Sequence, residues 1–117
     1  MNKNLLLNAI AIIVSTLNFA NAQTAYIPNS ASNNVSVINI NTGTVIATIP
    51  TQIYPSGVAV SPDGTKVYIG HSTNGKISEI NTATNTVTTV FSGTFGNAKA
   101  LAISPDGTKL FVTKSSS

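Results

Sequence analysis

The sequence predicts an all-β fold of antiparallel four-stranded β-propeller blades, a partial propeller, and three observations carry that prediction. Ser61-Pro62-Asp63-Gly64-Thr65-Lys66 returns as Ser104-Pro105-Asp106-Gly107-Thr108-Lys109, a repeat of 43 residues. Self-similarity at roughly 40 to 50 residues marks propeller blades, whose apolar faces only a neighbouring blade can cover. Composition agrees: Ser, Thr and Asn supply over a third of the residues and charged groups only 8%. Valine, isoleucine and threonine dominate the apolar segments, which favours strands over helices. Finally, no window after residue 22 shows helical periodicity.

The first 22 residues stand apart. Met1-Asn2-Lys3-Asn4 carries one positive charge, residues 5–17 are mostly apolar, and Ala20-Asn21-Ala22 has the small-x-small form of a cleavage site. This reads as a secretory signal peptide over residues 1–22. The apolar run is shorter than the roughly 20 residues a spanning helix needs. The chain has no cysteine, so it carries neither disulfides nor a lipid-modified cysteine.

Residues 23–117 read as nine short strands in three units near 24–49, 57–90 and 98–114. The first unit holds strands at 24–29, 34–39 and 44–49 and lacks a first strand; the second holds 57–60, 66–71, 76–81 and 86–90. The third stops after 100–103 and 109–113, with a frayed tail at 115–117. In Ser-Pro-Asp-Gly the proline presets its backbone angle, the aspartate bonds back to a nearby amide and the glycine accepts positive φ. Asn74-Gly75 predicts the hairpin between second and third strands. Thr42-Gly43 and Thr84-Asn85 predict turns before the fourth, because Gly and Asn tolerate left-handed angles. Within the first strands, Gly57 and Ala59 oppose Val58 and Val60, as Ala100 and Ala102 oppose Leu101 and Ile103. Small residues on one face and branched ones on the other let stacked sheets interlock.

These residues carry a resemblance. The Ser-Pro-Asp-Gly-Thr-Lys turn is followed by Val67-Tyr68-Ile69 or Leu110-Phe111-Val112. Strands such as Val35-Ser36-Val37-Ile38-Asn39 and Asn-Thr-x-Thr turns complete the pattern. Over residues 24–114 it resembles the YVTN family of bacterial and archaeal β-propeller repeats. The namesake tetrapeptide is replaced by Tyr26-Ile27-Pro28-Asn29, Tyr68-Ile69-Gly70-His71 and Phe111-Val112-Thr113-Lys114. The resemblance implies an exported or cell-surface protein and leaves activity open, because the fold hosts unrelated functions.

Candidate chemical residues find structural explanations. Asp63 and Asp106 hold equivalent turn positions in successive sheets, which pack about 10 Å apart, whereas a retaining glycosidase pair sits about 5 Å apart. His71 is the only histidine, and without cysteine a zinc ligand set is missing. It also has no evident orienting acid or nucleophile for general-base work. Glu79 replaces Val37 of the first unit and is expected exposed on an outer strand near Lys66 or Lys76. Asn34-Val35-Ser36 is a glycosylation sequon of the kind an Asn- and Ser-rich chain produces by chance. Tyr26, Tyr68 and Phe111 repeat at one position and read as packing residues. No catalytic, cofactor-binding or metal residue is assigned.

After loss of residues 1–22 five dispersed lysines face Asp63, Glu79 and Asp106, and arginine is absent. That pattern argues against nucleic acid, for which bidentate arginine is best suited. The expectation is a noncatalytic exported propeller scaffold in the periplasm, at the cell surface or outside, binding a protein or glycan, with no stable membrane span. The alternative is part of a lactonase-like or quinoprotein-like enzyme whose working residues lie in other blades. A closed propeller has typically four to eight blades, so two and a quarter read as a fragment of a longer protein, or as a unit that self-associates through open blade faces.

Overall fold

The computed structural model describes residues 11–14 and 23–115, and all its regular elements are strands. They run β1 (Ala11–Val14), β2 (Gln23–Asn29), β3 (Asn34–Asn39), β4 (Thr44–Pro50), β5 (Pro55–Val60), β6 (Lys66–His71), β7 (Lys76–Asn81), β8 (Thr86–Ser92), β9 (Asn97–Ile103) and β10 (Leu110–Ser115). Three antiparallel sheets result, in the orders β1-β2-β3-β4, β5-β6-β7-β8 and β9-β10. Each strand therefore pairs with its neighbours in sequence, as short turns dictate.

The first sheet corrects the strand count. Its first strand exists, and it comes from the apolar stretch assigned to the signal peptide. Ala11 pairs with Tyr26 and Ile12 with Ala25. Elsewhere Ala59 pairs with Tyr68 and Val60 with Val67, and Ala102 pairs with Phe111 and Ile103 with Leu110. β1 thus stands in the register of the other first strands, an alanine opposite the repeated aromatic. Residues 1–10 and 15–22, including the Ala20-Asn21-Ala22 cleavage signal, lie outside the described residues. At the other end, Ser115 is the last paired residue of β10, opposite Asn97, so the tail begins later than expected; Ser116 and Ser117 lie outside the described residues.

The turns follow their residue chemistry. Gly43, Gly64, Gly75, Gly107 and Asn85 all adopt positive φ, between 53° and 75°. Asn33 and Tyr54 do so as well, which the sequence did not signal. Both lie around the crossing from the first sheet to the second. There the Asn33 side chain accepts from the Tyr54 amide at 2.9 Å and its carbonyl accepts from Thr51 N at 3.0 Å. These bonds hold the two unusual backbone conformations in place.

The core lies between the first two sheets. Tyr26, Val35, Val37 and Ile49 meet Val67, Ile69 and Ile80, with Ala47, Val58, Val60 and Val87 around them. Strand alternation sends Ala25, Ile27 and Ile38 to the opposite face of the first sheet, where they form a second cluster. Tyr26 also donates to Asn85 Oδ1 at 2.6 Å, tying the first sheet to a turn of the second. Burial raises the Tyr26 phenol above its ordinary pKa.

The small face of the second sheet meets the third. A Cβ on Gly57 would lie 2.7 Å from the Lys99 carbonyl oxygen, and one on Gly70 would collide with that of Ala98. Both glycines are close-approach positions, where a side chain would displace β9 backbone.

Candidate functional site

The two aspartates are turn organisers. Asp63 Oδ1 accepts from Ser61 Oγ at 2.6 Å, Thr65 N at 3.0 Å and Thr65 Oγ1 at 2.8 Å. Asp106 Oδ1 repeats this with Ser104 Oγ, Thr108 N and Thr108 Oγ1 at the same three distances. In each turn the serine Oγ then accepts from the lysine amide at 3.0 Å. Three donors on one oxygen favour the ionised form. The Ser61 and Ser104 hydroxyls lead, the threonine donors follow, and both carboxyls fall to about 2. The turns approach one another, since a Cβ on Gly107 would lie 3.4 Å from Pro62 Cδ. A polar cleft of about 290 Å³ between them is lined by Ser61, Asp63, Lys66 and Asp106.

His71 is fully buried. Its Nδ1 lies 3.0 Å from the Ile53 carbonyl and its Nε2 lies 2.8 Å from Ser78 Oγ. A carbonyl only accepts, so Nδ1 carries the proton and Nε2 of the neutral ring accepts from the Ser78 hydroxyl. Burial drives its pKa below 6.5 against the opposing pull of the Ile53 and Gln52 carbonyls. The ring fastens the crossing segment to β6 and β7.

Glu79 corrects an expectation. It lies on β7, the third strand of its sheet, and is 9% exposed rather than an open outer residue. The expected lysine partner is Lys66, at 3.4 Å, and Thr88 Oγ1 donates to its carboxylate at 3.1 Å. It stands directly across from Tyr68. Burial first, and the Glu79 charge second, raise the Tyr68 phenol.

At the sequon, Asn29 Nδ2 donates to Asn34 Oδ1 at 2.9 Å and to Ser36 Oγ at 2.8 Å, so both polar residues serve a strand-end network. Asn39 and Asn81 were not singled out for a role. Asn39 Oδ1 accepts from the Asn41 and Thr42 amides, and Asn81 Oδ1 accepts from the Ala83 amide. They recur 42 residues apart at the ends of β3 and β7, which is the sequence signal for these Asx turns. Among the described residues no group of three or more His, Cys, Asp or Glu is placed to hold a metal.

A second opening is apolar. A groove of about 270 Å³ separates the second sheet from the β9-β10 hairpin. Tyr68, Ile77, Phe91 and Phe95 line one wall; Ile103, Leu110 and Val112 line the other. The repeated aromatics record how far each sheet is covered: Tyr26 is 2% exposed, Tyr68 partly buried and Phe111 59% exposed.

No known family pattern and no characterised protein sequence matches the chain. Solved structures do. Hydrazine synthase from Kuenenia stuttgartiensis is similar, with a TM-score of 0.75 and 23% identity, over 80% of this chain and 26% of that one. A functionally unknown protein from Desulfotomaculum acetoxidans DSM 771 is similar at a TM-score of 0.73 and 19% identity, over 92% of this chain and 35% of the other. The sheets are propeller blades. At these identities the likeness is one of fold, and the chain spans about a quarter to a third of the length of those two structures. No helix among the described residues is long and apolar enough to cross a membrane.

Proposed function

We propose that the chain is an exported propeller repeat protein of the YVTN type that acts without catalysis, as a binding scaffold in the cell envelope, with an extended polypeptide as ligand. The observation that carries this reading is the groove between the second sheet and the β9-β10 hairpin. Its walls are branched and aromatic side chains with few polar groups, a lining suited to apolar side chains of a peptide and poorly suited to a hydroxyl-rich glycan. The titratable groups an enzyme would use have structural partners: Asp63 and Asp106 in their turns, Glu79 on Lys66 and Thr88, His71 on Ile53 and Ser78. Export is supported by the charged start, apolar run and small-x-small site of residues 1–22.

A phage-displayed peptide library panned on the purified chain tests the binding reading. Enriched peptides with alternating branched residues are expected, and enrichment should vanish on Ile77→Asp. Retention on a glycan array with no enriched peptide would overturn the polypeptide assignment. For export, the intact mass of chain recovered from the envelope should correspond to a start at Gln23; recovery only with Met1 in the cytoplasm would overturn it.

A further inference from the structure

We infer that the crossing between the first two sheets, residues 51–54, is an acid-released strap, which the second sheet lets go when the buried His71 ring takes up a proton. Every group it uses comes from the first two sheets and their crossing, so it does not depend on the groove. Polar bonds hold the strap on two sides. Toward the first sheet, Thr51 N donates to the Asn33 carbonyl at 3.0 Å and Tyr54 N to Asn33 Oδ1 at 2.9 Å. Toward the second, Ser72 N donates to the Tyr54 carbonyl at 3.0 Å, Lys76 Nζ to Gln52 Oε1 at 3.4 Å and His71 Nδ1 to the Ile53 carbonyl at 3.0 Å. Apolar burial adds little, since Ile53 and Tyr54 are 46% and 49% exposed. Tyr54 also sits at a φ of 51°, a left-handed conformation that a bulky side chain disfavours. Few buried apolar contacts and a strained backbone mark a segment that opens before the fold does.

The ring is a trigger because its two bonds suit only its neutral form. Nε2 accepts from Ser78 Oγ at 2.8 Å; protonation would make Nε2 a donor and turn the Ser78 hydroxyl into its acceptor, so that the O–H of a fully buried serine would lose the partner it had. No carboxylate offsets the new charge. The acidic side chains are Asp63, Glu79 and Asp106. Asp63 lies in the turn before β6, a strand's length from His71, and Asp106 in the turn before β10. Glu79 follows Ser78 on β7 and so points to the opposite face, where it meets Lys66. Of the elements packed around the ring, β5 carries no ionisable side chain, the crossing brings Tyr54 and β9 brings the exposed Lys99. From β7 comes Lys76, whose charge opposes a second cation. Burial, foremost, keeps the ring neutral to a pH below 6.5. Once charged, it lowers its energy by turning toward water, and that movement breaks the bond to Ile53. The strap then parts from the second sheet, while Asn33 still ties it to the first.

Histidine occurs once in the sequence, so a pH titration of the nitrogen-15-labelled full chain follows the His71 ring by itself, while amide exchange follows the strap. The range from about pH 7.5 to about pH 4.5 stays clear of Asp63 and Asp106, whose pKa values are about 2. Across it, protection of the Ser72 amide should fall by about tenfold or more, with the midpoint of the ring, while the β2-β3 ladder keeps its protection. His71→Gln retains a donor for Ile53 and an acceptor for Ser78 without a titrating ring, and should hold Ser72 protection level over the same range. Should that variant not fold, agreement between the two wild-type midpoints decides the point. A ring that charges with no loss at Ser72, or that is still neutral at the acid end, would overturn the trigger. So would a loss that persists in His71→Gln. Loss at Ser72 only together with the β2-β3 ladder would be global unfolding and would overturn the strap.

Discussion

The single oxygen of Asp63 that accepts three hydrogen bonds, and its copy on Asp106, determine how these turns respond to acid. With both pKa values lowered from 3.8 to about 2, the folded state binds fewer protons than the unfolded chain between those values. Their contribution is therefore complete above about pH 4 and is lost as pH falls toward 2. Thermal melts across that range should show it, and Asp63→Ala should lower the midpoint more than Asp63→Asn, which keeps one acceptor. His71 has a different window. Its pKa is depressed below 6.5 by burial, so its contribution is complete above the unfolded value and declines as pH drops below it. Urea midpoints at about pH 7.5 and 5.5 should differ in wild type, with the acid value lower, and His71→Gln should flatten this dependence while lowering both. For Tyr26→Phe, loss of the bond to Asn85 should cost about 1 kcal/mol, measured by urea unfolding.

Among the elements, β5 and β9 make the sharpest prediction. Gly57 faces the Lys99 carbonyl oxygen with room for no Cβ, so Gly57→Ala should destabilise by about 1–3 kcal/mol through backbone displacement. Urea unfolding of the variant checks this, and a stabilised variant would mean that β9 yields easily. The alternation of Gly57 and Ala59 against Val58 and Val60 was legible because strand side chains have a period of two. Glu79 was not legible as a buried residue. Its burial depends on Lys66, two positions before its cross-strand partner Tyr68 on β6, and on Thr88 from the next strand; no local pattern encodes that meeting. β1 was hidden for a related reason: four apolar residues suit a leader as well as a strand, and only pairing with the β2 edge distinguishes them.

At the scale of the molecule, the strand formed by Ala11–Val14 conflicts with the proposed removal of residues 1–22. If the leader is removed after Ala22, the first blade loses the strand paired to Tyr26, Ala25, Thr24 and Gln23 and β2 becomes an edge. The chain starting at Gln23 should then melt at a lower temperature than the full chain or self-associate at that edge. Sedimentation and thermal melts of both forms test this; a monomer with an unchanged midpoint would contradict it. Exposure across the stack makes a companion prediction. Phe111→Ser should shift stability by under about 0.5 kcal/mol, because Phe111 is 59% exposed, whereas Tyr26, at the same place in a covered blade, is nearly buried.

Period, turn positions and the sense of each strand were determined by the sequence alone, because they arise from local chemistry. Proline presets an angle, glycine and asparagine tolerate positive φ, and a short aspartate side chain reaches only its own turn. Tertiary structure decided what covers each face. Tyr26, Tyr68 and Phe111 occupy equivalent places, and what separates buried from exposed among them is the neighbouring sheet, full, partial or absent among the described residues. That dependence is long-range, since apolar area leaves water only when another surface meets it.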